Sequence, residues 1–390
     1  MSATVISLGC RLNLSESESM RAMLAAESNL VVINSCAVTA EASRQTRQAI
    51  RRSRRQHPSA RLLVTGCGAE VDRATLSQMP EVDGLIANTA KLDPRAWNVA
   101  GASPIAAING AHTRAFVAVQ NGCDHACTFC VIPQGRGPSR SRAMPDVLVE
   151  ISAMIDAGVQ EVVLTGVDLT AWGLELNQRL GDLVARILKQ CPALPRLRLS
   201  SLDGIEIDPL LFDLIAEEPR VMPHVHLSLQ HGDDLMLKRM KRRHLRGDAV
   251  RLMEALRARR PEIALGADLI AGFPTEGEAA HQANLSIIRE LNVVHGHVFP
   301  YSARPGTPAA LMPQVDHATI KARAAELRAA CAAQRKAWLH SLIGQPAQVL
   351  AEADGMGHGE NFAPLRLPTG TARGTVVTIT PSRVVEGMLV

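Results

Sequence analysis

From Arg114 onward the chain alternates six times between a short apolar run and a longer helical stretch, and few folds accept that rhythm. The strand candidates are Ala115 to Gln120, Glu161 to Thr165, Arg196 to Ser200, Val225 to Gln230, Ile263 to Ile270 and Val293 to Phe299. Six such units in succession predict an incomplete βα barrel, a fold that carries its chemistry at the carboxyl ends of its strands. Polar residues collect there, namely Asp168, Ser200, Ser201, Asp203, Glu206, Gln230 and Tyr301. Strand-to-helix connections also use such residues as caps and turn formers, so position alone leaves both readings open.

The first hundred residues repeat the pattern on a smaller scale. Runs at Thr4 to Leu8, Leu30 to Ile33 and Leu62 to Val64 predict a parallel α/β domain, and each is followed at once by a cysteine: Cys10, Cys36 and Cys67. Ligands of open α/β sheets gather at the carboxyl ends of strands, so these three thiols are expected to meet at one sheet edge. A stretch rich in Ala, Gly, Asn and Pro from Pro94 to Ala111 reads as a linker. The helical stretch from Ile320 to His340 is expected to pack on the barrel. After Gly344, short alternating runs at Ala347 to Ala351, Asn361 to Leu367 and Gly374 to Thr380 predict a small all-β barrel. Phe362 is its only aromatic, so base stacking there is expected to be sparse. The expected domains are therefore α/β over residues 1–105, barrel over 110–342 and all-β over 343–390.

Composition narrows the classes further. A chain of 390 residues holds two or three cores, which excludes a small disulfide-stapled scaffold. No run approaches the roughly 18 apolar residues of a membrane span, and Met1 to Asn13 lacks the layout of a secretory leader. The eight cysteines are expected as reduced thiols in the cytoplasm, without membrane association. The net charge of +4 conceals a sharp asymmetry. Arg44 to Arg61 holds seven arginines and no acid, and Lys238 to Arg246 holds six lysines or arginines and no acid. Positive charge gathered this way suits a phosphate-bearing partner, although two solvated helix faces produce the same pattern.

The strongest local signal is Cys123-x3-Cys127-x2-Cys130 at the end of the first barrel strand. With eight cysteines in the chain, chance yields this spacing only about 0.003 times, so it calls for a ligand. Structural zinc takes four ligands, usually as two pairs, whereas three thiols cluster here and no partner pair follows. His125 is a candidate fourth ligand but falls between two of the cysteines. Three soft thiolates better suit a [4Fe–4S] cluster with one iron left open. Cys191 and Cys331 are expected as ordinary buried thiols.

This motif, with Phe129 just before its last thiol, resembles that of the radical S-adenosylmethionine superfamily. Leu8-Gly-Cys10-Arg-Leu-Asn13, Asn34-Ser-Cys36-Ala-Val-Thr39 and Thr65-Gly-Cys67 further resemble the N-terminal domain of the methylthiotransferases. Within that family, Val163 to Asp168, Leu197 to Ser201, His224 to Gln230, Gly266 to Glu276, Met240 to His244 and His297 to Ser302 look most like the branch acting on threonylcarbamoyladenosine at tRNA position 37. The resemblance implies two [4Fe–4S] clusters, one on Cys123, Cys127 and Cys130, the other on Cys10, Cys36 and Cys67. It also implies a C-terminal barrel of TRAM type. One S-adenosylmethionine would methylate a sulfur associated with the N-terminal cluster, and a second would be cleaved to a radical that activates C2 of the base. Phe129, Gly166, Asp168, Ser200, Glu206, Gln230 and Asp268 are then candidates to hold S-adenosylmethionine or the base, with no catalytic side chain beyond the cluster ligands. Arg51, Arg52, Arg54, Arg55, Lys241, Arg242 and Arg243 are the candidate phosphate contacts. The expected partners are a tRNA anticodon loop, whose bases splay out cheaply, an electron donor and a sulfur donor. Isopentenyl-type adenosine at position 37 and a ribosomal protein side chain are the rival substrates. A non-catalytic iron–sulfur RNA-binding protein is the rival of a different class.

Overall fold

The computed structural model describes residues 3–99 and 113–390. Its first layer is a four-stranded parallel sheet in sequence order, β1 (Thr4–Ser7), β2 (Leu30–Ser35), β3 (Arg61–Gly66) and β4 (Gly84–Leu85). Helices α1 (Arg11–Met23) and α2 (Ala40–Gln56) make the crossovers that parallel pairing requires. The side chain of Thr39 caps α2 by accepting from the backbone N–H of Ala42. Ser43, Thr46, Ile50 and Ser53 recur at helical spacing on its buried face, which leaves most of the arginine run to the outside. The short helix α3 (Cys67–Val71) follows β3 directly.

Pro94 to Trp97 belongs to this domain rather than to a linker. Trp97 fills the core beside Met20, Leu24 and Val32, and its indole N–H donates to the Lys91 carbonyl at 2.9 Å. A large aromatic beside an apolar sheet face is better buried than exposed, whatever the composition around it. The rest of the expected linker, and the expected boundary at 105 to 110, lie outside the described residues.

The second body carries all six expected strands in parallel. Strand β5 (Ala115–Ala118) pairs with β6 (Glu161–Thr165), and β6 with β7 (Arg196–Leu199). After a break at Ser200 the chain resumes as β8 (Ser201–Leu202), which pairs with β9 (His224–Gln230). The array continues through β10 (Ala264–Ala271) to β11 (Val293–Pro300). Among the described residues no ladder joins β11 back to β5, so the barrel is open on one side. The short helix α4 (Ile132–Arg136) follows the cysteine loop, and longer helices such as Met144–Asp156, Leu180–Gln190 and Glu278–Glu290 cover the outer face. Aliphatic side chains such as Val162, Leu164, Leu197 and Leu265 bury there against Ile151, Leu183 and Ile287.

The inner face at the lower end of the barrel is charged instead. Glu161 is fully buried and pairs with Arg114, Arg196 and Arg198, at 2.8 Å for Arg196 and 2.9 Å for Arg198. Arg196 also donates to the Gln348 carbonyl at 3.0 Å, tying this end to the C-terminal domain. Helix α5 (His317–Ser341) packs along β11, and its last turns contribute Trp338 and Leu339 to the C-terminal core, so the two bodies share one helix. That C-terminal domain is a six-stranded sheet around Val349, Leu365 and Leu389. No helix among the described residues is long and apolar enough to cross a membrane.

Candidate functional site

The three N-terminal thiols do come to one edge. Each follows the carboxyl end of its strand, and Gly9 lets the first loop close on the second: a Cβ there would lie 2.7 Å from the Cys36 Cβ and 2.8 Å from its sulfur. The backbone of Gly9, at φ 93°, is one that side chains rarely tolerate. Asn13 ties the same loops by donating to the carbonyls of Leu8 at 2.7 Å and Ser35 at 3.0 Å. Cys36 and Cys67 are buried, and Cys10 is exposed at the open side. Burial pushes the Cys36 thiol up to about 11, and the neighbouring Cys67 and Cys10 add to the rise.

The barrel thiols sit on the loop after β5. Gly122 turns that loop at φ 75°, where a Cβ would stand 1.9 Å from the Pro138 carbonyl oxygen. Gln120 rivets it to the next strand end: its side-chain carbonyl accepts from the N–H groups of Val167 and Asp168 at 2.9 Å, and its amide donates to Gly122 O at 2.8 Å. Donors surround the sulfurs, with His125 N–H 3.4 Å from Cys123, Ile132 N–H 3.4 Å from Cys130 and the Arg242 guanidinium 3.6 Å from Cys127. Burial pushes Cys123 up to about 12 and Cys130 up to about 11, so a metal must displace the protons to bind.

Neither thiol set draws its three sulfurs all within 4.8 Å of one another, as donors on a single ion would be. A tetrahedral zinc site brings thiolates to about 4 Å apart, whereas a multi-iron cluster spreads them. The donor atoms of Cys123, His125 and Asp168 do lie within that distance, but the trio omits Cys127 and Cys130. The His125 imidazole instead pairs with Asp168 at 2.7 Å, and its contacts to Asp168 and Glu206 push it up to about 10.

A buried polar knot brings the two thiol sets toward each other. Glu16 on α1 accepts from Arg136 on α4 at 2.9 and 3.0 Å and from Lys91 at 2.5 Å, with all three side chains almost fully buried. Gly135 then abuts Cys67 so closely that a Cβ would stand 3.2 Å from the Cys67 Cβ. Asn88 donates to the Gly135 carbonyl and lies 3.9 Å from the Cys67 sulfur. None of Glu16, Lys91, Asn88 and Arg136 is among the expected site residues. One signal was available: Glu16 shares the buried face of α1 with Leu12, Asn13 and Met20, and a charge on such a face needs a partner.

The other expected site residues divide. Gly166 presses on Gln120, a Cβ there standing 2.9 Å from its Oε1, and Ser200 presents a buried hydroxyl with no partner among the described residues. Glu206 is held down to about 2: burial opposes its charge, but His125 and Arg243 outweigh it. Gln230 ends β9 in left-handed backbone at φ 67°. Phe129 meets Phe273 edge to face at 6.4 Å, among Met236 and Tyr301. Asp268 stands within β10, between His226 at 3.0 Å and His297 at 3.3 Å.

Two of the expected phosphate contacts are engaged elsewhere. Arg242 is buried against Cys127 and pairs with Asp203 at 2.7 Å. Arg54 turns back on the sheet, pairing with Asp83 at 2.6 Å and donating to the carbonyls of Glu81 and Ala60. A charged run on a helix need not face outward as a block, because some of its members satisfy neighbouring carbonyls. Arg51, Arg52, Arg55 and Lys241 are exposed, and Arg243 is half-exposed while bonded to Glu206. Phe362 is also withdrawn from any exposed RNA face: its ring stacks on His358 at 4.5 Å and over Arg198 at 4.8 Å.

A cavity of about 860 Å³ opens beside two of the N-terminal thiols and reaches into the barrel. Cys10 and Cys36 line one wall, Gly166 and Ser200 another, and His226, Asp268 and His297 the barrel interior.

The radical SAM superfamily matches residues 117–283, and the family described as uncharacterized protein family UPF0004 matches residues 2–87. A threonylcarbamoyladenosine tRNA methylthiotransferase, MtaB, from Rickettsia prowazekii (strain Madrid E) is 42% identical over 95% of this chain and 93% of its own length. A tRNA-2-methylthio-N(6)-dimethylallyladenosine synthase from Sphingopyxis alaskensis is 32% identical over 91% of this chain and 88% of its own. Among solved structures, the radical S-adenosylmethionine methyltransferase TsrM from Kitasatospora setae shares the fold, with a TM-score of 0.56 at 16% identity over 76% of this chain and 67% of that one.

Proposed function

The chain belongs to the radical S-adenosylmethionine tRNA methylthiotransferases, and from that premise we propose that it adds a methylthio group to C2 of N6-threonylcarbamoyladenosine at position 37 of tRNA. The observation that carries this reading is the pair of thiol sets, held together by Glu16 and Arg136.

Cys123, Cys127 and Cys130 hold the [4Fe–4S] cluster common to the superfamily. Cys10, Cys36 and Cys67 hold a second. Bound to such a cluster, S-adenosylmethionine supplies a carbon radical able to attack a C–H bond that no side-chain base deprotonates. The protein's own task is placement. Gln120 sets the distance between the cysteine loop and the Gly166 turn, and the unpartnered Ser200 hydroxyl offers a contact to what binds there. Asp168 and Glu206 hold His125 as a cation over the barrel mouth. This reading calls for an electron donor and a sulfur donor as further partners, and for a cytoplasmic setting in which the protein meets tRNA.

Nucleoside mass spectrometry tests reaction and substrate together. In tRNA from cells lacking the protein, the 2-methylthio form of threonylcarbamoyladenosine disappears and the unthiolated nucleoside accumulates; its persistence rejects the reading. The phosphate contacts are tested by salt. Replacing Arg51, Arg52 and Arg55 with glutamine reduces the slope of log affinity against log salt by about 0.7 to 0.9 for each phosphate no longer neutralised. An unchanged slope removes α2 from the RNA-binding face.

A further inference from the structure

We infer that the cavity beside Cys10 and Cys36 selects its substrate by a carboxylate on the modified base, held by Arg11, Arg335 and Arg328. The inference rests on the reading that the base carries an N6-threonylcarbamoyl group.

All three arginines line the cavity and none forms an ion pair among the described residues. Arg335 donates to His295 Nδ1 at 2.9 Å, and Arg328 to the Val298 carbonyl at 3.2 Å. Arg11 has no hydrogen-bond acceptor among the described residues and meets only the rings of Phe116 and Phe362, at 5.9 and 5.6 Å. It is nonetheless half-buried, with Arg198 and Arg114 near enough to repel it. A guanidinium in that position is short of an anion. The charge beneath it does not compensate, since Arg114, Arg196 and Arg198 face only Glu161 and Glu352. Asp268, the single acid on the cavity wall among the described residues, pairs with His226 and His297.

The chemistry of the modification matches this shortage. A threonylcarbamoyl group joins threonine through its amine and leaves the carboxylate free, whereas a dimethylallyl group is apolar and offers these cations nothing. C2 and N6 flank N1 on the same edge of the purine. A base that turns C2 toward the Cys10 and Cys36 wall therefore carries its N6 chain into the same cavity. Arg11 and Arg335 are half-buried, so a substrate without the carboxylate leaves partly desolvated cations without an anion.

A phosphodiester of the RNA backbone is the other source of an anion, and the test separates the two. Binding of the full-length protein is measured by fluorescence anisotropy with synthetic anticodon stem-loops. At position 37 these carry threonylcarbamoyladenosine, its carboxyl methyl ester or unmodified adenosine. The free acid is expected to bind about tenfold or more tightly than the ester. Arg11→Gln and Arg335→Gln are expected to shrink that ratio toward one, and Arg335→Lys to keep part of it. Equal binding of acid and ester by the unaltered protein overturns the inference without needing any variant. So does an equal weakening for acid and ester in the variants, which assigns the arginines to the backbone. Thiolation of threonylcarbamoyl substrate without acid-over-ester preference sinks the carboxylate site and leaves the proposed substrate standing. Thiolation of a dimethylallyl stem-loop but not the threonylcarbamoyl one sinks the substrate reading, and the inference with it.

Discussion

Replacing Cys36 with alanine will abolish methylthiolation, lower the iron content of the anaerobically reconstituted protein from about eight to about four per chain, and spare cleavage of S-adenosylmethionine. Cys36 follows β2 in contact with Gly9, and its electrostatic neighbours are Cys67, Cys10 and Arg136 rather than the barrel thiols. Losing it empties the N-terminal set and leaves Cys123, Cys127, Cys130 and the Gln120 rivet untouched. The converse variant, Cys127→Ala, will lose cleavage and thiolation together. Iron assay, 5′-deoxyadenosine release and the thiolated nucleoside read the three quantities separately. If Cys36→Ala also stops 5′-deoxyadenosine release, the two thiol sets do not act as independent sites.

The second large effect is structural. Replacing Glu16 with glutamine removes the one carboxylate shared by two buried cations, Lys91 and Arg136, whose side chains are 2% and 1% exposed. Breaking a buried pair in this way leaves unpaired charge in the interior and costs about 3 to 5 kcal/mol. Denaturant unfolding of the two proteins will show that loss. Unchanged stability would mean that the knot is not what holds the thiol sets together. The effect carries a pH signature. Burial alone raises the Glu16 carboxyl, but Lys91 and Arg136 outweigh it and hold the group below its ordinary 4.5. A carboxyl whose folded-state pKa is depressed contributes its full stabilisation above the unfolded value and loses it as pH falls through the folded one. The wild-type protein will therefore lose stability progressively below about pH 4.5. Glu16→Gln will lack that component of the acid slope.

Much of this fold was legible because its determinants are local. The strand runs, the position of each N-terminal cysteine just past a strand and the Cys123 to Cys130 spacing lie within a few residues of one another, where periodicity and turn chemistry act. Arg54 and Arg242 were not legible in the same way. Each lies in a run of like charge, and only the folded chain brings Asp83 or Asp203 and Cys127 within reach. Asp268 falls inside its expected strand, but only the folded barrel sets it between two histidines from neighbouring strands.

By itself, then, the sequence determined the Cys123 to Cys130 spacing, the placing of Cys10, Cys36 and Cys67 just past their strands and the family the chain resembles, because those follow from spacing along the backbone. Tertiary structure alone decided that Cys10 and Cys36 line the barrel cavity and that Arg11, Arg328 and Arg335 on its wall form no ion pair among the described residues. Glu16 and Arg136 stand 120 residues apart, and Phe362 reaches the barrel from another domain. Contacts at such separations arise from the packing of whole elements on one another, which no local pattern records.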